Sequence, residues 1–147
     1  MTTTTQDLIR TVCAKYCHHL DGTGGEQEIG ALLDLFTDDG SVYSPRQSKF
    51  YQGRENLREF FRGVHAVSQG RNKHLTSNIV ISVSGHTAQA VSDWIYIRHN
   101  NEGGTGVWTV AACGRFHDEF ISYNGEWRIK SRKITRGNEA PVPPDAT

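Results

Sequence analysis

A chain of 147 residues is one domain's worth of polypeptide and is long enough to bury a real core. Sixteen Lys and Arg balance sixteen Asp and Glu, so the basic surplus that a nucleic-acid groove or an anionic membrane selects is missing, and neither partner is expected. No apolar run approaches the ~20 residues needed to cross a bilayer, and Met1 to Thr5 is a polar tract unlike a signal peptide, which makes the cytoplasm the expected compartment.

Thr4 or Thr5 can cap a helix over 6–20 whose apolar positions, Leu8, Ile9, Val12, Cys13, Tyr16, Cys17 and Leu20, repeat at three and four and form one buried stripe. Asp21-Gly22-Thr23-Gly24-Gly25 stops it, because glycine readily takes the left-handed conformation in which helices end. A second helix is expected over 26–36, with Ile29, Leu32, Leu33 and Phe36 inward. Thr37-Asp38-Asp39-Gly40 then reads as a turn, Ser41-Val42-Tyr43 as a short strand and Phe50-Tyr51 as another. Gly53 to Asn56 opens a third helix that buries Leu57, Phe60, Phe61 and Val64, and 68–72 reads as a loop.

From there the pattern changes to strands at about 73–84, 86–99, 106–122 and 126–136, rich in Val, Ile, Tyr, Trp and Thr. Ser84-Gly85-His86 and Asn124-Gly125-Glu126 read as hairpin turns, and 100–106 as a longer loop. Helices followed by hairpin-linked strands mean α+β: a curved antiparallel or mixed sheet wrapped around N-terminal helices, with an apolar pocket between the layers. The whole of 1–147 reads as a single domain with a flexible N-terminus and a Pro-rich tail from about 137.

The chemistry-bearing residues are few. Cys13, Cys17 and Cys113 suit a reducing compartment and lack the second pair that a structural zinc site needs. His18 and His19 are neighbours on a helix and point roughly 100° apart, so they do not share one ion, and no metal is expected. No glycine-rich phosphate loop follows a strand, so no nucleotide cofactor is expected either. On the later strands Ala88, Ala90, Ser92, Trp94 and Tyr96 share one face, as do Phe116, Asp118 and Phe120, with His117 and Glu119 opposite. Asp118 between two aromatics is either a pocket acid or a structural carboxylate with Arg132 as its partner on the next strand.

The chain resembles the SnoaL-like group of the cone-shaped α+β superfamily that includes scytalone dehydratase, ketosteroid isomerase, limonene epoxide hydrolase and nuclear transport factor two. The segments that carry the likeness are Lys15 to Asp21, Leu35 to Gly40, Tyr51 to Leu57, His74 to Asn78, Ser84 to Ala88, Gly114 to Asp118, and Gly125 to Ile129 with Arg132. In scytalone dehydratase and similar members a Tyr and an Asp at the end of the first helix face a His at the start of a central strand. The resemblance therefore implies Tyr16, Asp21 and His74 as the catalytic residues, with His117 the candidate for the second histidine that scytalone dehydratase uses.

A histidine beside a carboxylate is a sensible base, since the carboxylate orients the ring and stabilises the imidazolium. The expected function is a cofactor-independent dehydratase or isomerase acting on a small apolar oxygenated metabolite. His74 is the base, Asp21 its partner and Tyr16 a polarising hydroxyl, while Asn78, Trp94, Phe116 and Asp118 contact the substrate. A non-catalytic ligand-binding or dioxygenase small-subunit-like domain is the alternative, and an epoxide hydrolase or cyclase the third reading. A homo-oligomer, dimer or trimer, is expected because one sheet face would otherwise expose its aromatics.

One conflict must be resolved by the fold. Strict alternation puts His74, Thr76, Asn78 and Val80 on one face and Leu75, Ile79, Ile81 and Val83 on the other, so a strand with its apolar set inward would send His74 outward. A β-bulge between Asn78 and Ile81 reconciles the two, and bulges concentrate near active sites.

Overall fold

The computed structural model describes residues 1–100 and 106–143. Helix α1 (Thr5–Leu20) begins at a reciprocal cap, in which Thr4 Oγ1 accepts the Asp7 N–H at 3.2 Å and the Asp7 carboxylate accepts the Thr4 N–H at 3.0 Å. Of the expected stripe Ile9, Cys13, Tyr16, Cys17 and Leu20 are buried, whereas Leu8 at its margin is exposed. Helix α2 (Glu26–Leu33) buries Ile29, Leu32 and Leu33, and α3 (Arg54–Ser68) buries Leu57 and Phe61.

The strands are β1 (Phe36–Ser44), β2 (Lys49–Gln52), β3 (Asn72–Ser84), β4 (Thr87–Asn100), β5 (Val107–Tyr123) and β6 (Glu126–Arg136). They form one curved sheet in the order β2-β1-β6-β5-β4-β3, antiparallel except for the parallel β1–β6 pair. The helices cover its inner face, where Ala88, Ala90, Ser92 and Trp94 of β4 and Phe116, Asp118 and Phe120 of β5 are buried, as alternation requires. Asn124 and Gly125 turn the β5–β6 hairpin with φ of 52° and 77°, the geometry that Asn-Gly supplies at least cost. Gly114 is needed for close approach, since a Cβ there would lie 1.9 Å from the Thr135 carbonyl oxygen and 2.7 Å from Trp94.

Two expectations about the second element need correction. The helix expected over 26–36 ends at Leu33, and Phe36 already belongs to β1. The turn expected at Thr37 to Gly40 is a bulged stretch within that strand, because the register against β6 shifts between Phe36 and Ser41. Gly40 lets the chain fold tightly over Phe36, and its carbonyl accepts the Gly53 N–H at 2.9 Å. The polar run thus loops outward without reversing the chain. Of the expected 100–106 loop, residues 101–105 lie outside the described residues, as do 144–147 of the tail. Among the described residues no helix is long and apolar enough to cross a membrane.

Candidate active site

Two elements meet at the site. Asp21 is the C-cap of α1, with φ −88° and ψ −3°, and its N–H donates to the Cys17 carbonyl oxygen. A carboxylate is the disfavoured group there, since the last carbonyls of a helix already concentrate negative charge. Its place is explained by what it accepts. Asp21 Oδ2 takes the backbone N–H of His74 at 2.6 Å, and Oδ1 takes His74 Nδ1 at 2.6 Å and Asn72 Nδ2 at 2.9 Å.

His74 faces inward because β3 is bulged. The pairing with β4 slips between Ser77 and Val80, and Asn78 adopts the left-handed φ of 52°. Before the slip the inward set is Asn72, His74 and Thr76, and after it Ile79 and Ile81, while Leu75 and Val80 are exposed. The bulge lies at the N-terminal end of the expected window and reconciles an inward His74 with an inward Ile79 and Ile81.

Because an ionised carboxylate oxygen can only accept, Nδ1 carries a ring hydrogen, and in the neutral ring the lone pair is then on Nε2. Tyr96, directly across β4, packs on the ring with centroids 4.9 Å apart. The His74 and Asp21 side chains are 14% and 15% exposed, so the pair is shielded yet reachable. They line a cavity of about 330 Å³ between α1 and β3, walled by Cys13, Ala14, Cys17, Leu75, Thr76 and Ile79, with Arg10, His18 and Lys73 also along it. Cys17 Sγ lies 3.2 Å from Thr76 Oγ1, which ties helix to strand across the cavity floor. Burial pushes the Cys13 thiol up to about 12 and raises Cys17 as well, so both present neutral S–H walls.

The sequence matches the family model for the SnoaL-like domain over residues 1–133. The chain belongs to the SnoaL-like family. No curated protein matches it. Among solved structures it is similar to Rv3472 of Mycobacterium tuberculosis, a protein of unknown function, at 26% identity and a TM-score of 0.75 over 90% of this chain and 71% of that one. An NTF2-like protein with a cystatin-like fold from Novosphingobium aromaticivorans aligns at 20% identity and a TM-score of 0.77, over 92% of this chain and 83% of that one. A candidate scytalone dehydratase from the same organism aligns at 23% identity and a TM-score of 0.70, over 95% and 92%. At those last two identities the likeness speaks for the fold alone.

The remaining expected site residues of this SnoaL-like domain lie apart from the Asp21–His74 pair. Tyr16 is turned into the core, 1% exposed, with its ring 6.0–6.2 Å from those of Phe36, Phe61 and Phe116, and it is not among the cavity's lining residues. Burial holds its phenol up to about 12. Asp118 is the structural carboxylate of the two readings. Both its oxygens accept from Arg132 at 2.8 Å, and both side chains are fully buried. Burial alone would lower the Arg132 pKa, but the charge and hydrogen bonds of Asp118 more than reverse that and raise it. The guanidinium also lies 4.1 Å from the ring centres of Tyr16 and Phe116.

Trp94 and Phe116 are core residues stacked 6.1 Å apart, and neither lines the cavity. Asn78 does not reach it either. The left-handed backbone at the bulge throws its side chain outward, where Nδ2 donates to Asp93 at 3.0 Å. His117 sits on the outer face, lowered in pKa by burial and then by Arg115, away from His74.

Sequence reading missed Asn72, which was assigned to a loop, and the cavity wall of Cys13, Ala14 and Ile79. The signal for Asn72 was present, because starting β3 one residue earlier puts Asn72, His74 and Thr76 on one face.

Proposed function

We propose that this SnoaL-like domain is a cofactor-independent acid–base enzyme, a lyase or isomerase of the dehydratase kind, acting on a small, mostly apolar, oxygenated molecule. The observation that carries the reading is the 2.6 Å contact between Asp21 Oδ1 and His74 Nδ1 at the wall of a largely apolar cavity. His74 Nε2 takes a proton from a carbon next to a carbonyl or aryl group, and Asp21 stabilises the imidazolium that forms. Returning that proton to a hydroxyl on the adjacent carbon releases water and leaves a double bond. Returning it to a different carbon gives an isomer instead. In either case His74 ends as it began.

Such a general base contributes on the order of 10²–10⁴ in rate. The test is a screen of β-hydroxy ketones and conjugated enones for elimination or double-bond shift, followed by His74→Ala and Asp21→Asn on any active compound. Loss of turnover in His74→Ala with ligand binding retained supports the assignment; undiminished turnover sinks it.

A further inference from the structure

Asp21 follows the last turn of a helix and precedes Gly22, Gly24 and Gly25, so the backbone alone does little to fix its carboxylate. Its orientation is set by its donors. Two of them belong to His74 itself, whose ring must stay free to change protonation during the proposed reaction. The His74 backbone N–H on Oδ2 and Asn72 Nδ2 on Oδ1 are both independent of that ring, and of the two only Asn72 shares the oxygen that accepts Nδ1–H. Asn72 is 4% exposed at the first position of β3, paired with Arg98 of β4, and shares the inward face with His74 two residues on.

Its amide nitrogen is fixed on Asp21, and its amide oxygen is buried with no partner among the described residues. A strand's inner face has little use for an amide, and an apolar residue of equal size would avoid the unpaired oxygen. The amide is therefore retained against packing, and its one satisfied bond goes to Asp21.

We propose that Asn72 is a positioning residue, an inference that rests on the Asp21–His74 reading. Its N–H holds Asp21 Oδ1 in the orientation that accepts His74 Nδ1–H, and so keeps the lone pair on Nε2 facing substrate. Without it Oδ1 loses its second donor while the His74 N–H still holds Oδ2, so Oδ1 can pivot away from the ring and the imidazole is released to exchange tautomers.

The test needs no substrate. The full chain is labelled with ¹⁵N-histidine, and the His74 ring is assigned by comparison with His74→Gln. Long-range ¹H–¹⁵N spectra are then recorded at alkaline pH, where the imidazole is neutral. Wild type should show the Nδ1–H tautomer in large excess over a measurable minor Nε2–H population. Asn72→Leu removes the donor while keeping the number and branching of side-chain heavy atoms and should raise the Nε2–H tautomer on the order of 10-fold, the size of one hydrogen bond to a charged group. Thermal unfolding checks that the variant is folded. If it is not, Asn72→Asp, which puts an acceptor where the donor was, must show the same tautomer change.

Wild-type tautomer populations in the folded variant overturn the proposal. Asp21→Asn separates the two claims: a wild-type ring in that variant defeats the underlying pair. A ring altered there, yet unaltered in the Asn72 variants, defeats only the role of Asn72.

Discussion

Asp118→Asn is the perturbation whose size the structure sets most clearly. The Asp118 and Arg132 side chains are both 0% exposed and joined by paired N–H···O contacts of 2.8 Å, at the centre of a cluster made by Tyr16, Phe116 and Cys13. The Asn side chain keeps the shape and one acceptor but strands a guanidinium in the core. Breaking a buried pair this way costs about 3–5 kcal/mol. The two rings 4.1 Å from the Arg132 guanidinium supply roughly 2 kcal/mol of attraction in a dry site, which places the expected loss toward the lower figure. At about 2–4 °C per kcal/mol for a chain of this size, the melting temperature should fall by at least ~6 °C. Urea denaturation followed by tryptophan fluorescence gives the free energy directly.

Replacing both partners with hydrocarbon, Asp118→Leu with Arg132→Met, should recover most of the loss, because a packed apolar pair often matches a buried ionic one. A loss below about 1 kcal/mol in Asp118→Asn, the range of exposed pairs, would refute the reasoning and return Asp118 to the list of substrate contacts.

Thiol accessibility and acid sensitivity give two more checks. Cys13 and Cys17 are buried with raised pKa values and Cys113 is exposed, so a disulfide reagent at mild alkaline pH should modify Cys113 rapidly and the other two only on unfolding; rapid loss of all three thiols would contradict the buried wall. His117 is held below its ordinary value of 6.5, first by burial and next by Arg115. The unfolded chain therefore takes up the proton more readily, and stability present above pH 6.5 is lost as the pH falls through the folded value. His117→Gln should flatten the dependence of melting temperature on pH in that window, whereas an unchanged slope would assign it to other groups.

Much of the architecture was legible because it rests on periodicity. The stripe of α1, the alternation along β4 and β5, and the Asn124-Gly125 turn all follow from local rules that the packed structure does not override. The bulge in β3 was expected for a different reason, since the inward His74 that the resemblance implies and an inward Ile79 and Ile81 cannot share a face without a slip. Thr37 to Gly40 misled because a polar, glycine-ended run looks the same as a turn whether it reverses the chain or bulges from a strand, and only the partner β6 decides.

The site was harder to read than the fold. Asp21 and His74 were named from the resemblance to SnoaL-like proteins, and their hydrogen bonds came from tertiary contact. Tyr16, Trp94 and Phe116 lie on the inner face as periodicity required, but sharing a face is not the same as lining the cavity. Which inward residues pack on each other and which leave space depends on helix–sheet distances that no pattern in one chain records.

The central claim is that His74 moves a proton with Asp21 behind it, and isotope exchange tests that without requiring a complete reaction. Ketones found to bind in the cavity are incubated with the protein in D₂O, and deuterium incorporation next to the carbonyl is followed by mass spectrometry. Wild type should exchange that hydrogen well above the buffer rate, with His74→Gln near background and Asp21→Asn slowed by at least ~10², in keeping with the contribution of an oriented base. Equal exchange by His74→Gln and wild type would contradict the account.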